Sequence, residues 1–447
     1  MSSSPLCIGL SLAATWLSAS GWRRPDSRVE QLHGAPFYRD VARRAEQACL
    51  DFVFRPDALF LDVPALTRGP GFSSLDPTLL MAALAQDTRH IGLVTTAATS
   101  FNPPYVVARQ LQSLDWISEG RAGWNIVTAL DGSRNFGDAP MPPSAQRYRK
   151  ALEFTEVVRA LWRSYPQEAV LADRESGQYA DVTRIAPIAH RGEYFSVQGP
   201  LNVPGRAHGR IPLFQAGASD WGRDFAARVA DAVFAATPDI ECGVALRRDL
   251  RQRALDHGRE PAAIRVLPGL SLYLAASRAQ ARDLHRAAHA DQDRARQRLY
   301  VGRALGLDLE RLDPDQPITV RMLGQPGPGM RSPTHVQLLR RLVEREQPCL
   351  RELLARPEAA ASAHWTVVGT VDDAVAEIQR RAEAGAADGF IALPGGAMQS
   401  LDLLLDGVMP RLAAMGLARR AYAGTTFASN LGLAGDAVSQ AARFPSR

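Results

Sequence analysis

Three polar side chains stand where short apolar runs end, and residues of these types at such positions can bind a ligand. Asp57 closes one run, Thr99 follows a second, and Asn125 lies inside a third. A carboxylate accepts hydrogen bonds from a ring nitrogen or a hydroxyl, and Thr and Asn both donate and accept. An asparagine in an apolar strand is costly unless it is bonded, so Asn125 favours a ligand over a structural partner. For Asp57 taken alone, a helix cap or a salt bridge to Arg55 is an equally good interpretation.

A second kind of site is predicted where an apolar strand passes into a helix at Gln215–Ser219. Gly217 lets the backbone approach a ligand closely. Ala218 and Ser219 lie at the first helical turn, where free N–H groups and the helix dipole favour an anion. The pattern predicts a phosphate-binding turn. An ordinary helix cap at Ser219 uses the same geometry, so the two interpretations are compatible.

These residues need a scaffold that brings strand ends together. Eight apolar or β-rich runs are followed by polar turns, and amphipathic helices separate most of them. Such alternation predicts a parallel sheet, and eight repeats predict closure. The predicted fold class is α/β, a TIM (β/α)8 barrel with insertions, whose active sites lie at the carboxyl ends of the strands. The strands are predicted at Cys7–Leu12, Asp51–Asp57, Ile91–Ala97, Gly123–Thr128, Ile211–Gly217, Ala232–Thr237, Ile264–Ala275 and Gly389–Leu393. The helices are predicted at Tyr38–Ala48, Pro77–Asp87, Tyr105–Ile117, Arg147–Trp162, Trp221–Ala230, Gly243–His257 and Leu401–Met415.

Two stretches interrupt the alternation. Residues 163–210 are rich in turns, with an extended segment expected at Glu193–Val197, and residues 284–365 form a longer insertion. Long segments on such a scaffold are usually lids or oligomer contacts. Residues 419–447 form a C-terminal tail. We expect residues 1–447 to form a single barrel domain that carries both insertions.

Composition excludes several function classes. The chain has 447 residues, a formal net charge of +5, and no run of basic residues interleaved with aromatic ones, so nucleic-acid binding is not expected. Its four cysteines are scattered, which argues against a zinc site or a disulfide framework. Pro5–Leu17 is apolar, but no Lys or Arg precedes it, so we do not interpret it as a secretion signal and assign Cys7–Leu12 within it to the first barrel strand. No other segment approaches about 20 apolar residues, so we expect no membrane span and a cytoplasmic location.

Several long motifs are spread over nearly the whole chain. They are Asn102–Tyr105, Ser113–Asp115, Gly120–Thr128, Asn135–Gly137, Tyr194–Val197, Gly199–Pro204, Gln215–Ser219 and Gly385–Phe390. These motifs resemble those of the bacterial-luciferase-like flavin monooxygenases, and most of all the nitrilotriacetate monooxygenase group, which includes oxygenases acting on EDTA and on dibenzothiophene sulfone. Several motifs in the family's order are far more specific than one glycine pattern.

The resemblance implies a cofactor and a partner. FMN would be received in reduced form from a separate NAD(P)H-dependent reductase and would react with O2 to oxygenate a small sulfur- or amine-containing substrate. The residues implied to bind FMN are Asp57, Thr99, Asn125, Ser144, Tyr148, Gly217, Ala218 and Ser219. Trp22 and Arg23 are assigned to the substrate side, although Arg23 is equally well a surface ion-pair member. By analogy with the family we expect a homodimer or homotetramer.

One departure from the family pattern concerns Ser144. The family commonly has a histidine four residues before the tyrosine that matches Tyr148, and a serine cannot act as an imidazole acid or base. An F420-dependent oxidoreductase of the same fold, or a flavin-binding protein without monooxygenase activity, therefore stays an alternative. A barrel hydrolase is disfavoured, because Asp57 is the only strong candidate carboxylate at a strand end. The substrate itself is not indicated.

Overall fold

Eight parallel strands close into a barrel. The computed structural model describes residues 5–137, 140–207, 210–217, 219–290, 294–328, 330, 333–360 and 364–433. The strands are β1 Cys7–Ser11, β2 Phe52–Phe54, β3 Gly92–Ala98, β4 Ala122–Val127, β5 His190–Arg191, β6 Ser196–Val197, β7 Leu213–Ala216, β8 Ala232–Ala235, β9 Arg265–Leu274, β10 Trp365–Gly369 and β11 Gly389–Pro394. The barrel runs β1-β2-β3-β4-β7-β8-β9-β11, and β11 pairs with β1. The predicted barrel is confirmed.

Helices cover the outside of the barrel. They are α1 Ala35–Gln47, α2 Pro77–Ala85, α3 Pro104–Ile117, α4 Ser144–Arg163, α5 Asp220–Val229, α6 Ile240–Asp256, α7 Arg278–His289, α8 Arg294–Leu305, α9 Pro333–Glu346, α10 Leu350–Leu354, α11 Val371–Glu383, α12 Met398–Asp402, α13 Met409–Ala414 and α14 Phe427–Asn430, with a π-helical segment at Leu403–Val408. In the described part of the chain, no helix is both long and apolar enough to cross a membrane.

Aromatic side chains seal the amino end of the barrel. Phe427 of α14 lies against Phe52 and Phe214, with ring centroids 5.9 and 6.0 Å away. A Cβ atom on Gly123 would come within 2.9 Å of the Phe427 ring, and one on Gly92 would overlap it. The tail beyond residue 419 therefore contributes the floor of the barrel, and positions 434–447 lie outside the described residues.

The structure differs from the sequence prediction in several elements. Strand β2 ends at Phe54, three residues before Asp57. Strand β10 was not predicted. It pairs with Leu270–Leu274 of β9, beyond the residues of β9 that pair with β8. Helices α7 and α11 were not predicted either, and α7 extends into the stretch predicted as an insertion, 284–365. β10 was missed because its side chains are buried only at alternate positions.

The two irregular stretches have packing of their own. Within 163–210, β5 and β6 form an antiparallel pair. Glu153 of α4 holds this pair by accepting hydrogen bonds from the backbone N–H groups of Tyr194 and Phe195, at 3.0 and 2.9 Å. Helices α8, α9 and α10 enclose a separate apolar cluster, listed here by its members: Val301, Ala304, Leu305, Leu309, Ile318, Val336, Leu339, Leu342, Val343, Leu350, Leu353 and Ala359.

Candidate functional site

Asn125 and Thr96 meet inside the open, carboxyl end of the barrel, which we call the mouth. They are register partners on β4 and β3 and are almost fully buried. The Thr96 hydroxyl donates to the carbonyl oxygen of Arg55 at 2.7 Å, so it must accept from Asn125 Nδ2, which lies 3.0 Å away. The amide oxygen of Asn125 is buried and has no hydrogen-bond partner among the described residues. A buried acceptor left open in this way costs about 1–3 kcal/mol unless a ligand donates to it.

Thr99 lies beside this pair but is already bonded within the protein. Its hydroxyl donates to the carbonyl oxygen of Val127 at 3.2 Å, and its backbone N–H donates to the same oxygen at 2.9 Å. Thr99 is fully buried. The residue that reaches the interior at the level of Asn125 is Thr96, which the sequence reasoning missed. The alternation of side chains along the strand could have identified it, because Thr96 lies two residues from Val94 and therefore faces the barrel interior as Val94 does.

Asp57 is half-buried in the loop after β2. Burial is the main cause that raises the pKa of its carboxyl group, and the carboxylate of Asp76 raises it further. Arg55 does not pair with it. Its Nη1 donates instead to the carbonyl oxygen of Leu12, and no helix begins at Asp57. Among the described residues, Asp57 therefore neither caps a helix nor forms a salt bridge with Arg55. Its role in binding a ligand stays a prediction.

Tyr148 and the turn after β7 form a second part of the site. Tyr148 is in the second turn of α4, and its hydroxyl lies 3.4 Å from Nε2 of Gln215. A Cβ atom on Gly217 would lie 2.5 Å from both of these atoms, so a larger residue there would displace them. Ser219 caps α5 by accepting from the Gly222 N–H at 3.2 Å, and it also bonds Tyr148. The cap and the tyrosine are thus parts of one arrangement.

Burial and charge at this turn suit an anionic ligand group. Burial raises the pKa of Tyr148, which keeps it a neutral donor. Arg147, next to it, places a cation within electrostatic range of Tyr148, and its Nη1 donates to the carbonyl oxygen of Pro142 at 2.8 Å. Gln215 is buried with its side-chain oxygen unpartnered among the described residues. Arg147 and Gln215 were not chosen from the sequence. Ala218 lies outside the described residues.

The remaining predicted residues lie on the rim. Ser144 is the first residue of α4, one turn before Tyr148. Trp22 lies in a short helical turn after β1, and its indole N–H donates to the carbonyl oxygen of Arg68 at 2.7 Å. Arg23 is exposed. The hydrogen bond to Arg68 brings Trp22 against the loop that also contains Asp57. The assignment of Trp22 and Arg23 to the substrate side stays a prediction.

An open cleft of about 750 Å³ lies on the outer side of this region and contains Lys150, Phe195 and the turn at Asn102–Tyr105. Lys150 donates to the carbonyl oxygen of Ser100 at 2.8 Å. Where the structure describes the chain, none of the buried polar atoms that lack hydrogen-bond partners lines this cleft. We therefore place the candidate site at the mouth. Within the described residues, no group of three or more His, Cys, Asp or Glu side chains could hold a metal ion.

The mouth fits a flavin at both parts of the site. An isoalloxazine ring carries an N–H donor that would satisfy the open amide oxygen of Asn125. A phosphate group suits the N-terminus of α5 beside Ser219 and Tyr148. The two parts lie on neighbouring strands of the barrel, since β4 pairs with β7. One elongated ligand with a ring at one end and a phosphate at the other is consistent with this arrangement.

Comparisons with known proteins agree with this geometry. Residues 20–388 match the model of the luciferase-like monooxygenase family. The chain is 34% identical to nitrilotriacetate monooxygenase component A of Aminobacter aminovorans, over 96% of each chain. It is 32% identical to N-acetyl-S-(2-succino)cysteine monooxygenase of Bacillus subtilis (strain 168), over 95% of this chain and 96% of that one. The solved structure of EDTA monooxygenase from Chelativorans sp. BNC1 superposes with a TM-score of 0.78 at 28% identity, over 96% of this chain and 98% of that one. The chain therefore belongs to the luciferase-like monooxygenase family and is a monooxygenase.

Proposed function

We propose that this monooxygenase is the oxygenase component of a two-component system, which uses FMN reduced by a separate NAD(P)H-dependent reductase. O2 would supply one oxygen atom to a small sulfur- or amine-containing substrate. The observation that carries the proposal is the buried, unpartnered amide oxygen of Asn125 in the mouth. It supports a ring ligand with an N–H donor, because a barrel that binds no ligand would leave this buried acceptor without a hydrogen bond.

Residues at different positions in the mouth would bind different parts of FMN. Thr96 orients the Asn125 amide through its hydroxyl, so that the amide oxygen faces the ligand ring. Tyr148, Ser219 and the first turn of α5 would hold the phosphate. Reduced FMN, when bound, supplies the electrons that activate O2. The protein would keep water from the reacting centre and orient the substrate, and no protein nucleophile is required.

The substrate class follows from the names of the relatives. Two of them are named for nitrilotriacetate, which contains a tertiary amine, and for N-acetyl-S-(2-succino)cysteine, which contains a thioether. We extend this class, and not either compound, to the present chain. A homodimer or homotetramer is part of the same proposal.

The test is reconstitution with isotopic oxygen. Purified protein, FMN, NADH and an unrelated flavin reductase are incubated under 18O2 with a panel of thioethers, sulfones and tertiary amines, and products are followed by mass spectrometry. We expect one 18O atom per turnover, in the oxygenated product, and no product without the reductase. Reduction of F420 or oxidation of F420H2 by a substrate in the absence of O2 would contradict the proposal. Binding of reduced FMN without any oxygenated product across the panel would indicate an inactive flavin-binding protein.

A further inference from the structure

Three aromatic rings form a cluster beside the mouth, at the carboxyl end of β9. Tyr273 lies on the same strand face as Leu267, a residue of the barrel interior, but near the carboxyl end of β9. His285 and His289 are one turn apart on α7. The Ser20 hydroxyl ties α7 to the loop after β1 by donating to the carbonyl oxygen of Ala287 at 2.6 Å. This loop contains Trp22, so the cluster adjoins the rim assigned to the substrate.

The hydrogen bonds of the cluster define its donors. Nδ1 of His289 lies 2.7 Å from the carbonyl oxygen of His285, so this nitrogen carries the proton. In the neutral form of His289, Nε2 is then an acceptor for the Tyr273 hydroxyl, 3.5 Å away. The ring of His285 packs against both partners, with centroids 4.6 Å from Tyr273 and 4.3 Å from His289. Tyr273 and His289 thus fix the position of the His285 ring.

Tyr273 and His285 are both uncharged at neutral pH. Burial raises the pKa of Tyr273 to about 12, and burial, with His289 as a smaller cause, lowers the pKa of His285 to about 4. On α7 the charged neighbours Asp283 and Arg286 pair with each other. Among the described residues, neither ring nitrogen of His285 has a hydrogen-bond partner, although the ring is half-buried. A neutral imidazole in this state presents one N–H donor to its surroundings.

We propose that His285 is a specificity-determining residue, whose N–H donates to an uncharged acceptor oxygen of the substrate, such as that of a sulfoxide, sulfone or amide. Tyr273 and His289 are its positioning residues. The inference rests on the proposed function, because it assigns a chemical class to the substrate of that reaction. At His285 itself a carboxylate would find no cation, because a neutral imidazole provides none. One such hydrogen bond changes affinity by about tenfold.

The experiment measures binding and turnover separately on the FMN-loaded protein. Calorimetry compares methyl phenyl sulfone, methyl phenyl sulfide and (phenylthio)acetate, which offer a neutral acceptor, no acceptor and a carboxylate. We expect the sulfone to bind the wild type about tenfold more tightly than the sulfide. His285→Phe keeps the ring packing and should abolish this preference, whereas His285→Asn restores a donor and should retain it. His257→Phe is the matched control, because His257 is paired with Asp224 at 2.8 Å, at the end of α6.

The outcomes separate the inference from the function on which it rests. A wild type that binds the sulfone no more tightly than the sulfide, or that binds the carboxylate most tightly, overturns the inference. So does a sulfone preference that survives in His285→Phe. A wild type that prefers the sulfone but oxygenates none of the three compounds with reduced FMN and O2 contradicts the proposed function alone. Oxygenation without the sulfone preference contradicts only the inference.

Discussion

The two ends of the barrel treat buried polar groups in opposite ways. At the amino end, Arg121 precedes β4 and is 3% exposed. Its guanidinium donates to the carbonyl oxygens of Ser118, Ala85, Thr88 and Ile91 and to the Thr88 hydroxyl, over 2.7–3.2 Å. At the carboxyl end, four residues further on, the Asn125 amide oxygen is equally buried and has no partner among the described residues.

This difference indicates that buried polar groups at the amino end stabilise the fold, whereas those at the carboxyl end are available to a ligand. The polar network around Arg121 is complete within the protein, so it contributes to folding whether or not a ligand is present. The open acceptor at Asn125 lowers the stability of the ligand-free protein and is satisfied only on binding. Such a division agrees with the general behaviour of barrels, in which the amino face serves stability and the carboxyl face serves catalysis.

The largest effect should come from the amino end. Arg121→Leu leaves several buried carbonyl groups without a donor, and we expect it to lower the free energy of unfolding by roughly 4 kcal/mol. Urea denaturation monitored by circular dichroism measures this. Arg311→Leu is the control, since the Arg311 side chain is 87% exposed and its loss should change stability by less than about 0.5 kcal/mol. A comparable loss in both variants would remove the contrast.

The next effect concerns an exception at the amino end, the buried carboxyl group of Asp115. Burial raises the pKa of Asp115 to about 6, and Arg206, 3.7 Å away, opposes this only in part. Because the folded-state pKa lies above the unfolded value, the stability contributed by protonated Asp115 is present below about pH 4 and is lost as pH rises through 6. Asp115→Asn should therefore be neutral at pH 4 and stabilising by roughly 2–3 kcal/mol at pH 8. Equal unfolding midpoints of the two proteins at both pH values would contradict this.

A third prediction concerns the open acceptor in the mouth. Asn125→Leu removes the unpartnered oxygen with little change of volume, so we expect the flavin-free protein to be as stable as the wild type or more so. The dissociation constant for FMN, measured by fluorescence titration, should rise by about tenfold or more. If Asn125→Leu destabilised the flavin-free protein as strongly as Arg121→Leu, the two ends would not differ in the way described.

The smallest effect separates the two parts of the mouth. Gly217→Ala would place a methyl group against the Tyr148 hydroxyl and displace it. We expect FMN to bind about tenfold more weakly, whereas riboflavin, which lacks the phosphate, should bind as it does to the wild type. Competition titrations with both flavins measure the ratio. If riboflavin lost affinity to the same extent as FMN, the phosphate would not bind at this turn.

The barrel could be predicted from the sequence because its eight strands are short apolar runs that are mostly separated by amphipathic helices, and recognising them needs no long-range information. β10 could not, since the alternating burial of Trp365–Gly369 is common in surface segments as well. Its partner, the second half of β9, becomes visible only when the barrel is assembled.

Within the site, the sequence indicated segments better than side chains. Asn125 was identifiable because an amide among apolar neighbours needs an explanation. Thr96 was not, because threonine is common in strands and its interior position depends on strand parity, which the sequence leaves open until a neighbour is known to face inward. The need for Gly217 comes from Tyr148, a contact between residues far apart in the chain.

The pairing of β1 with β11 has a consequence for how the protein reaches its native state. Cys7 at the start of β1 is the register partner of Gly389, so the barrel closes only when segments from nearly opposite ends of the described chain meet. Until then both strands are unpaired edges, which recruit other chains. Contacts of such sequence separation form slowly. Refolding from denaturant should therefore be slow and should yield less native protein as the protein concentration rises.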